Sequence, residues 1–209
     1  MKKFELILIG AGGHSRSCID TIEQEGKYKI GGLVGLNQEV GSSQFGYEVL
    51  STDSGLNELA NQFEFALVAL GQIHSPELRI CLYEQSIAAG FIFPSIIAPS
   101  AYVSPSAKVG AGTIVMQGAI LNAGVVVGDN CIINSGALLE HDSKFSDHCH
   151  ISTGAILNGE TSIGSGIFIG SGSVIKEGVS VGAGSLIGMG LALRHNLDEK
   201  SRYLGGIKS

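Results

Sequence analysis

The sequence predicts a Rossmann-like α/β domain over residues 1–95, followed by a parallel β-helix over residues 96–209. Two observations support this fold class. In the first part, runs typical of strands alternate with runs typical of helices, as they do around a small parallel sheet. In the second part, an aliphatic residue or Phe returns at every sixth position. A repeat of this length is typical of a parallel β-helix.

The first part opens with a strand, because residues 4–10 form a continuous apolar run that ends in glycine. The elements predicted after it are a helix over 14–26, strands over 28–36 and 63–71, a helix opened by Pro76 and closed by Gly90, and an exit segment over 91–97. This order predicts a parallel sheet with helices packed on it.

The repeat runs from Ile97 to Ile187 without an insertion, and all sixteen positions hold an aliphatic residue or Phe. Each unit makes one short strand and one turn, so its aliphatic side chain points into a prism. Three units make one coil, and coils stack about 4.8 Å apart, which predicts about five coils over ~25 Å. Cys131 and Cys149 are predicted to stack in adjacent coils as packing residues.

Composition limits the partners and the compartment. The net charge of −6 argues against nucleic acid, because phosphate binding needs a basic surface. The four cysteines form no CxxC pair, which indicates reduced thiols. No stretch is long and apolar enough to span a membrane. We therefore expect a cytoplasmic protein without membrane insertion.

The stretch LLEHDSKFSDHCH, residues 138–150, interrupts the repeat and holds half of the six histidines. Its polar members are Glu140, His141, Asp142, Asp147, His148 and His150. A catalytic base, a metal site and a solvated polar face are the competing interpretations. A purely structural prism would have no need for such an interruption.

The frame of six places His141 between Ala123, one coil below, and Gly159, one coil above. These small neighbours leave a groove beside the imidazole. His141 and His150 are nine residues apart, which is half a coil, so they lie on different flanks of the prism. Two prisms packed side by side could bring both to one substrate. That geometry predicts a closed cyclic oligomer, most simply a trimer.

The motifs GAGGHSRS near the start and INSGALLEHDSKFSDHCHISTGAILNGE in the repeat resemble the NeuD/PglD-type sugar acetyltransferases. The resemblance covers the whole chain. It implies a left-handed β-helix, acetyl-CoA as co-substrate, a nucleotide-sugar acceptor and a homotrimer with active sites between subunits. It also implies a place in the synthesis of polysaccharides or other glycans. Metal is not part of this expectation.

The resemblance also implies roles for individual residues. His141 would be the general base, and Asp142 would orient it. The residues that would bind the acceptor are Gly12, Gly13, His14, Asn37, Gly71, Gln72 and Asn134. The residues that would approach acetyl-CoA are His150, Gly159, Gly170, Gly188 and Gly205. The chain departs from the family at Leu36 and Asn37, which stand where an acidic pair is usual, and in its tail, YLGGIKS.

The expected reaction is acetyl transfer from acetyl-CoA to the amino group of a UDP- or dTDP-linked 4-amino-4,6-dideoxy sugar. An O-acetyltransferase acting on a sialic-acid-type sugar uses the same base and donor and stays open. A trimeric β-helix that binds zinc through histidines is a more remote alternative. Nicotinamide binding at GAGGHS is disfavoured, because no acidic residue ends the second strand. His148 is interpreted as a solvated residue and His195 as part of the tail.

Overall fold

The computed structural model describes residues 4–205, and its first part is a five-stranded sheet with helices on it. The elements are β1 Phe4–Ile9, α1 Gly13–Glu25, β2 Tyr28–Val34, β3 Ser43–Gln44, β4 Tyr47–Ser51, α2 Leu56–Leu59, β5 Phe65–Val68 and α3 Glu77–Ala89, with 3-10 turns at Asn37–Glu39 and Asp53–Gly55. The strand order is β3-β4-β2-β1-β5. All pairs are parallel except β3 with β4.

Local chemistry explains the predicted boundaries. Leu6, Ile7, Leu8 and Ile9 of β1 are fully buried, as the continuous apolar run requires. Helix α1 ends at Gly26, whose φ of 72° lets its N–H bond to the carbonyl of Ile22. The hairpin of β3 and β4 carries no clear sequence signal and was not predicted.

The second part is a left-handed β-helix of eighteen two-residue strands, β6 to β23, which confirms the predicted fold class. The strands are β6 Ile96–Ile97, β7 Tyr102–Val103, β8 Lys108–Val109, β9 Ile114–Val115, β10 Ile120–Leu121, β11 Val126–Val127, β12 Ile132–Ile133, β13 Leu138–Leu139, β14 Lys144–Phe145, β15 His150–Ile151, β16 Ile156–Leu157, β17 Ser162–Ile163, β18 Phe168–Ile169, β19 Val174–Ile175, β20 Ser180–Val181, β21 Leu186–Ile187, β22 Ala192–Leu193 and β23 Arg202–Tyr203. The prism is longer than expected, because β22 and β23 continue it beyond Ile187.

The prism has three faces, which we name by what lies on them. The covered face is the seven-stranded sheet from β6 to β23 that contains β15. The ladder face is the six-stranded sheet from β7 to β22 that contains β13. The third face is the five-stranded sheet from β8 to β20. Residues eighteen apart pair in register, as Leu121, Leu139 and Leu157 do.

The coils stack in the register that the six-residue repeat predicts. The inward residues form one buried aliphatic core along the prism. The N–H of Cys149 lies 3.3 Å from the Sγ of Cys131, which confirms that the two thiols stack in adjacent coils.

The corners of the prism need a left-handed backbone. From residue 112 to residue 190, every sixth residue has a φ between 51° and 73°. Ten of these positions are glycine, and the other four are Asn130, Asp142, His148 and Glu160. Residues with a Cβ pay a conformational cost in this region. At these four corners a side chain is therefore present despite that conformational cost.

The α/β part packs on the covered face. Ile96, Ile114 and Ile132 point outward from the prism and are buried in one apolar cluster with Cys18 and Ile22 of α1. Gln117 donates to the carboxylate of Asp20 at 2.8 Å and tightens the same contact. In the described range 4–205, no helix has the length and apolar character of a membrane span.

Candidate active site

A cavity of about 550 Å³ opens at the carboxyl ends of β1, β2, β4 and β5. Parallel α/β sheets bind ligands at this edge, because loops and helix N-termini converge there. Five of the seven residues expected to bind the acceptor line it: Gly12, Gly13, His14, Asn37 and Gly71.

The middle of this cavity is suited to an anion. Helix α1 begins at Gly13 after the cap residue Gly12, and no side chain caps it. Its first turn contains no acidic residue. Free N–H groups and the positive end of the helix dipole therefore face the cavity, an arrangement that favours phosphate.

The far end of the cavity carries carboxylates, although Leu36 and Asn37 stand where the resemblance implies an acidic pair. Glu39, Thr52 and Asp53 line this end. The carboxylate of Glu39 accepts the N–H of Leu36 at 2.7 Å, which fixes the turn after β2. Sequence reasoning missed Thr52 and Asp53, because the strand that positions them, β4, was not predicted.

The near end of the cavity is lined by His14, and His150 of the prism lies behind it, 6% exposed and outside the cavity lining. The rings of His14 and His150 lie 6.2 Å apart, centroid to centroid. The Nδ1–H of His150 donates to the carbonyl of Gln72 at 2.6 Å, so its Nε2 is left as an acceptor toward the amide of Asn134 at 3.3 Å. The Nε2 of His14 is buried and has no partner among the described residues.

Both histidines are neutral at physiological pH. Burial, with the nearby positive charge of Arg79 second, lowers the pKa of His14 to about 3. Burial also lowers the pKa of His150 to about 4, against the opposing hydrogen bond to Gln72. The pair therefore offers neutral imidazoles to a ligand, together with an unpaired ring nitrogen.

Gln72 differs from the other residues expected to bind the acceptor. Its side chain is only 2% exposed and is not part of the cavity lining. Its Nε2 donates to the carbonyl of Ile167 on the covered face at 3.4 Å. The structure thus places its backbone carbonyl under His150 and its side chain between the two parts of the molecule.

His141 and Asp142 lie at the corner between the ladder face and the third face. The Nδ1 of His141 lies 3.0 Å from an Oδ of Asp142, and the imidazole is 58% exposed. With the Nδ1 proton directed to the carboxylate, the Nε2 is free to accept a proton. Asp142 is one of the four corner residues that hold a left-handed backbone with a side chain.

Two glycines make room for this pair. A Cβ on Gly159 would lie 2.6 Å from the Nε2 of His141. A Cβ on Gly124 would lie 2.5 Å from a carboxylate oxygen of Asp142. The ring of His141 therefore packs directly over Gly159, where any side chain would collide with it.

The residues expected at the donor divide between two corners. Gly159 stands with His141, whereas Gly170 and Gly188 stand in the column above Asn134, at the corner between the covered face and the ladder face. A Cβ on Gly170 would strike the backbone of Gly188 and Met189 in the next coil. Gly205, with a φ of 69°, packs near Leu191 at the top of this corner, and Gly206 lies outside the described residues.

His148 was wrongly interpreted as solvated. It is half-buried, its Nδ1 lies 3.0 Å from the Nδ2 of Asn130, and its ring packs edge-on against Tyr83 of α3. Burial lowers its pKa. Within residues 4–205 of one chain, no three His, Cys, Asp or Glu side chains are grouped so as to hold a metal ion.

Comparison with protein-family models identifies both parts of the chain. Residues 5–85 match the PglD N-terminal domain. Residues 106–141 match the bacterial transferase hexapeptide model of six repeats, and residues 160–194 match the hexapeptide repeat of succinyl-transferase. A search of curated protein sequences finds no match.

Solved structures are similar over nearly the full length. A histidine-to-asparagine variant of perosamine N-acetyltransferase from Caulobacter crescentus, in complex with CoA and GDP-perosamine, is 31% identical with a TM-score of 0.91, over 96% of this chain and 93% of that one. The acetyltransferase domain of PglB from Neisseria gonorrhoeae, in complex with acetyl-CoA, is 35% identical with a TM-score of 0.84, over 95% and 94%. WeeI from Acinetobacter baumannii shares the fold at 19% identity and a TM-score of 0.83, over 96% and 97%.

Proposed function

Because the chain belongs to the NeuD/PglD-type family of acetyl-CoA-dependent sugar acetyltransferases, we propose that it acetylates the amino group of a nucleotide-linked 4-amino-4,6-dideoxy sugar. UDP and dTDP are the nucleotides proposed first, and the GDP-sugar bound by the perosamine enzyme adds a third to test. The observation that carries the proposal is the cavity that runs from Asp53 past the N-terminus of α1 to His14, whose ring lies next to that of His150.

The cavity suits the parts of a nucleotide sugar in order. The diphosphate would lie over the N-terminus of α1, where N–H groups are free. The nucleoside would extend toward Glu39, Thr52 and Asp53, whose oxygens accept from hydroxyl and N–H groups. The sugar would then reach toward His14, His150 and Asn134, at the border with the prism. His150, which the resemblance places at acetyl-CoA, is proposed here as an acceptor contact because its ring lies beside His14.

The proposed chemistry is direct transfer with His141 as the general base. The amine nitrogen attacks the acetyl carbonyl carbon, and the Nε2 of His141 takes the proton that the nitrogen loses. The bond from carbon to sulfur then breaks, and CoA leaves as the thiol after its sulfur gains the proton that His141 took from the amine. Among the described residues, the N–H of Gly159 has no acceptor, so it is available to the developing oxyanion. One good donor of this kind contributes about 3–4 kcal/mol.

A homotrimer is the proposed assembly, and the ladder face supports it. The outward residues of this face are apolar in every coil: Tyr102, Ile120, Leu138, Ile156, Val174 and Ala192. The covered face is buried by the α/β part, and the third face presents mainly Lys and Ser. A continuous apolar stripe whose residues are exposed or partly exposed favours burial against further copies of the chain.

The same assembly would complete the active site. His141 follows a strand of the ladder face, whereas His150 lies on the covered face beside the cavity. In the trimer, His141 of one protomer would face the His14 and His150 pair of its neighbour. Acetyl-CoA would lie between the two prisms, bordered by Gly159 of one and by Gly170, Gly188 and Gly205 of the other.

The proposal is tested by release of CoA thiol from acetyl-CoA with a panel of acceptors. The panel holds UDP-, dTDP- and GDP-linked 4-amino sugars and a free sialic acid. We expect release with at least one amino sugar and none with the sialic acid. Release with the sialic acid alone would make the protein an O-acetyltransferase and contradict the proposed acceptor.

The dependence of the rate on pH tests the pairing of His141 with Asp142. The hydrogen bond to Asp142 raises the pKa of His141 above its ordinary 6.5. The base works only when deprotonated, so kcat/KM should fall with decreasing pH through that raised pKa. In Asp142→Asn the pKa should drop, so the acidic limb should move to lower pH while the plateau falls.

A matched variant controls this measurement. Asp147→Asn removes a carboxylate at the far corner of the same coil and should leave the acidic limb in place. An acidic limb that does not move in Asp142→Asn would mean that another group controls the rate.

A further inference from the structure

Arg79 of α3 is a buried cation held only by backbone carbonyls. Its side chain is 2% exposed. One Nη donates to the carbonyls of Val68 at 2.7 Å and Leu70 at 2.9 Å. The Nε and the other Nη both donate to the carbonyl of Asn130 at 3.3 Å. The guanidinium thus joins the end of β5 to a corner of the prism.

No carboxylate balances this charge among the described residues. The ionisable groups that act on Arg79 are Cys18, Cys131 and Tyr83, none of which is a carboxylate. Burial lowers the pKa of Arg79 to about 10, so the side chain remains charged. A desolvated cation without an ionic partner is costly. An apolar residue would pack here more cheaply if packing were its whole role.

The carbonyls that Arg79 holds lead directly to the proposed acceptor site. Leu70 is followed by Gly71, which lines the cavity, and by Gln72, whose carbonyl accepts from the Nδ1 of His150. On the prism side, Asn130 lies just before β12 and Asn134 lies just after it. The side-chain amide of Asn134 is the partner of the Nε2 of His150. The two groups that hydrogen-bond to the ring nitrogens of His150 therefore belong to the two segments that Arg79 joins.

We propose that Arg79 is a positioning residue: it clamps the loop 69–72 to the prism and so fixes His150 as the Nδ1–H tautomer, with its Nε2 directed to the acceptor sugar. The role of that Nε2 at the sugar rests on the proposed function, whereas the tautomer itself does not. The planar fork of Arg makes the clamp, because it reaches three carbonyls from fixed directions. Lysine keeps the charge but lacks that geometry.

The test compares Arg79→Lys and Arg79→Met with wild type by ¹⁵N NMR of histidine-labelled protein. In wild type, His150 should show a protonated Nδ1 and an unprotonated Nε2 at neutral pH. In Arg79→Lys the ring should become a mixture of tautomers. The KM for the acceptor should rise about tenfold or more, while the KM for acetyl-CoA changes less than threefold.

A matched control separates positioning from loss of stability. Ser86→Ala removes a buried hydroxyl of the same helix, which donates to the carbonyl of Leu82 at 2.6 Å and so bonds within the helix rather than to the loop or the prism. It should lower the melting temperature without changing the His150 tautomer or the acceptor KM.

Two outcomes would overturn the proposal, and a third separates it from the proposed function. One is a folded Arg79→Lys protein that keeps the Nδ1–H tautomer and an acceptor KM within twofold of wild type. If neither Arg79 variant folds, Arg79 serves folding alone. If wild type acetylates no sugar but the tautomer changes as expected, the clamp stands and the proposed function fails.

Discussion

Replacing His141 with Asn should lower kcat/KM for acetyl transfer by a factor of about 10² or more, because general-base catalysis contributes about 10²–10⁴. Asparagine fits the same space but cannot take a proton from the amine. The side chain of His141 is 58% exposed, so the variant should keep the fold, the assembly and the affinity for acetyl-CoA. Thiol release under saturating donor measures the effect, and circular dichroism checks the fold.

The matched control is His195→Asn. His195 is an exposed histidine at the same corner of the prism as His141, three coils above it. Three coil spacings put the two histidines about 14 Å apart. Its replacement should change kcat/KM less than about threefold. A His141→Asn enzyme with near-wild-type activity would place the base elsewhere, and His150 would be examined next.

Charging the ladder face should abolish both the trimer and the activity. Ile120→Asp with Ile156→Asp places two carboxylates in the proposed contact, where each charge would be buried without a partner. We expect monomers by sedimentation and a loss of activity of about 10² or more, because each active site would lose the neighbour's His141. The fold of each protomer should survive, since both side chains point away from the core.

The third face supplies the matched control in the same coils. Val126→Asp with Ser162→Asp adds the same charge, and Val126 is 37% exposed where Ile120 is 38% exposed. This control should remain trimeric and active. Active monomers of the ladder variant would show that one chain forms a complete site, which contradicts the proposed assembly.

The repeat made the β-helix predictable, because one inward position in six is dictated by the core in every coil. The proximity of His141, Asp142 and Gly159 was predictable for the same reason, because residues eighteen apart in the repeat stack in adjacent coils. The strand that precedes GAGG and the helix that follows it likewise fixed the position of His14. The recognition of the family and its acetyl-CoA-dependent chemistry is confirmed by structures 31–35% identical to the chain.

The contact between the two parts was not predictable from either pattern alone. Arg79 stands on the buried side of α3 with Leu82, Tyr83 and Ser86, a spacing that the helical pattern contains. The helical pattern does not reveal that Arg79 donates to the carbonyl of Asn130, some fifty residues later, which is the contact that accounts for its burial. His148 was misassigned because its frame position faces outward, and only the fold shows that α3 lies against it.

The identity of the product tests most directly whether the enzyme acetylates the amino group of a nucleotide-linked sugar. The measurement is ¹³C NMR of the product formed from [1-¹³C]acetyl-CoA and a nucleotide-linked 4-amino sugar. We predict an amide carbonyl on the amino nitrogen of a sugar that still carries its nucleotide. An ester carbonyl on a hydroxyl group, or free acetate as the only labelled product, would contradict it.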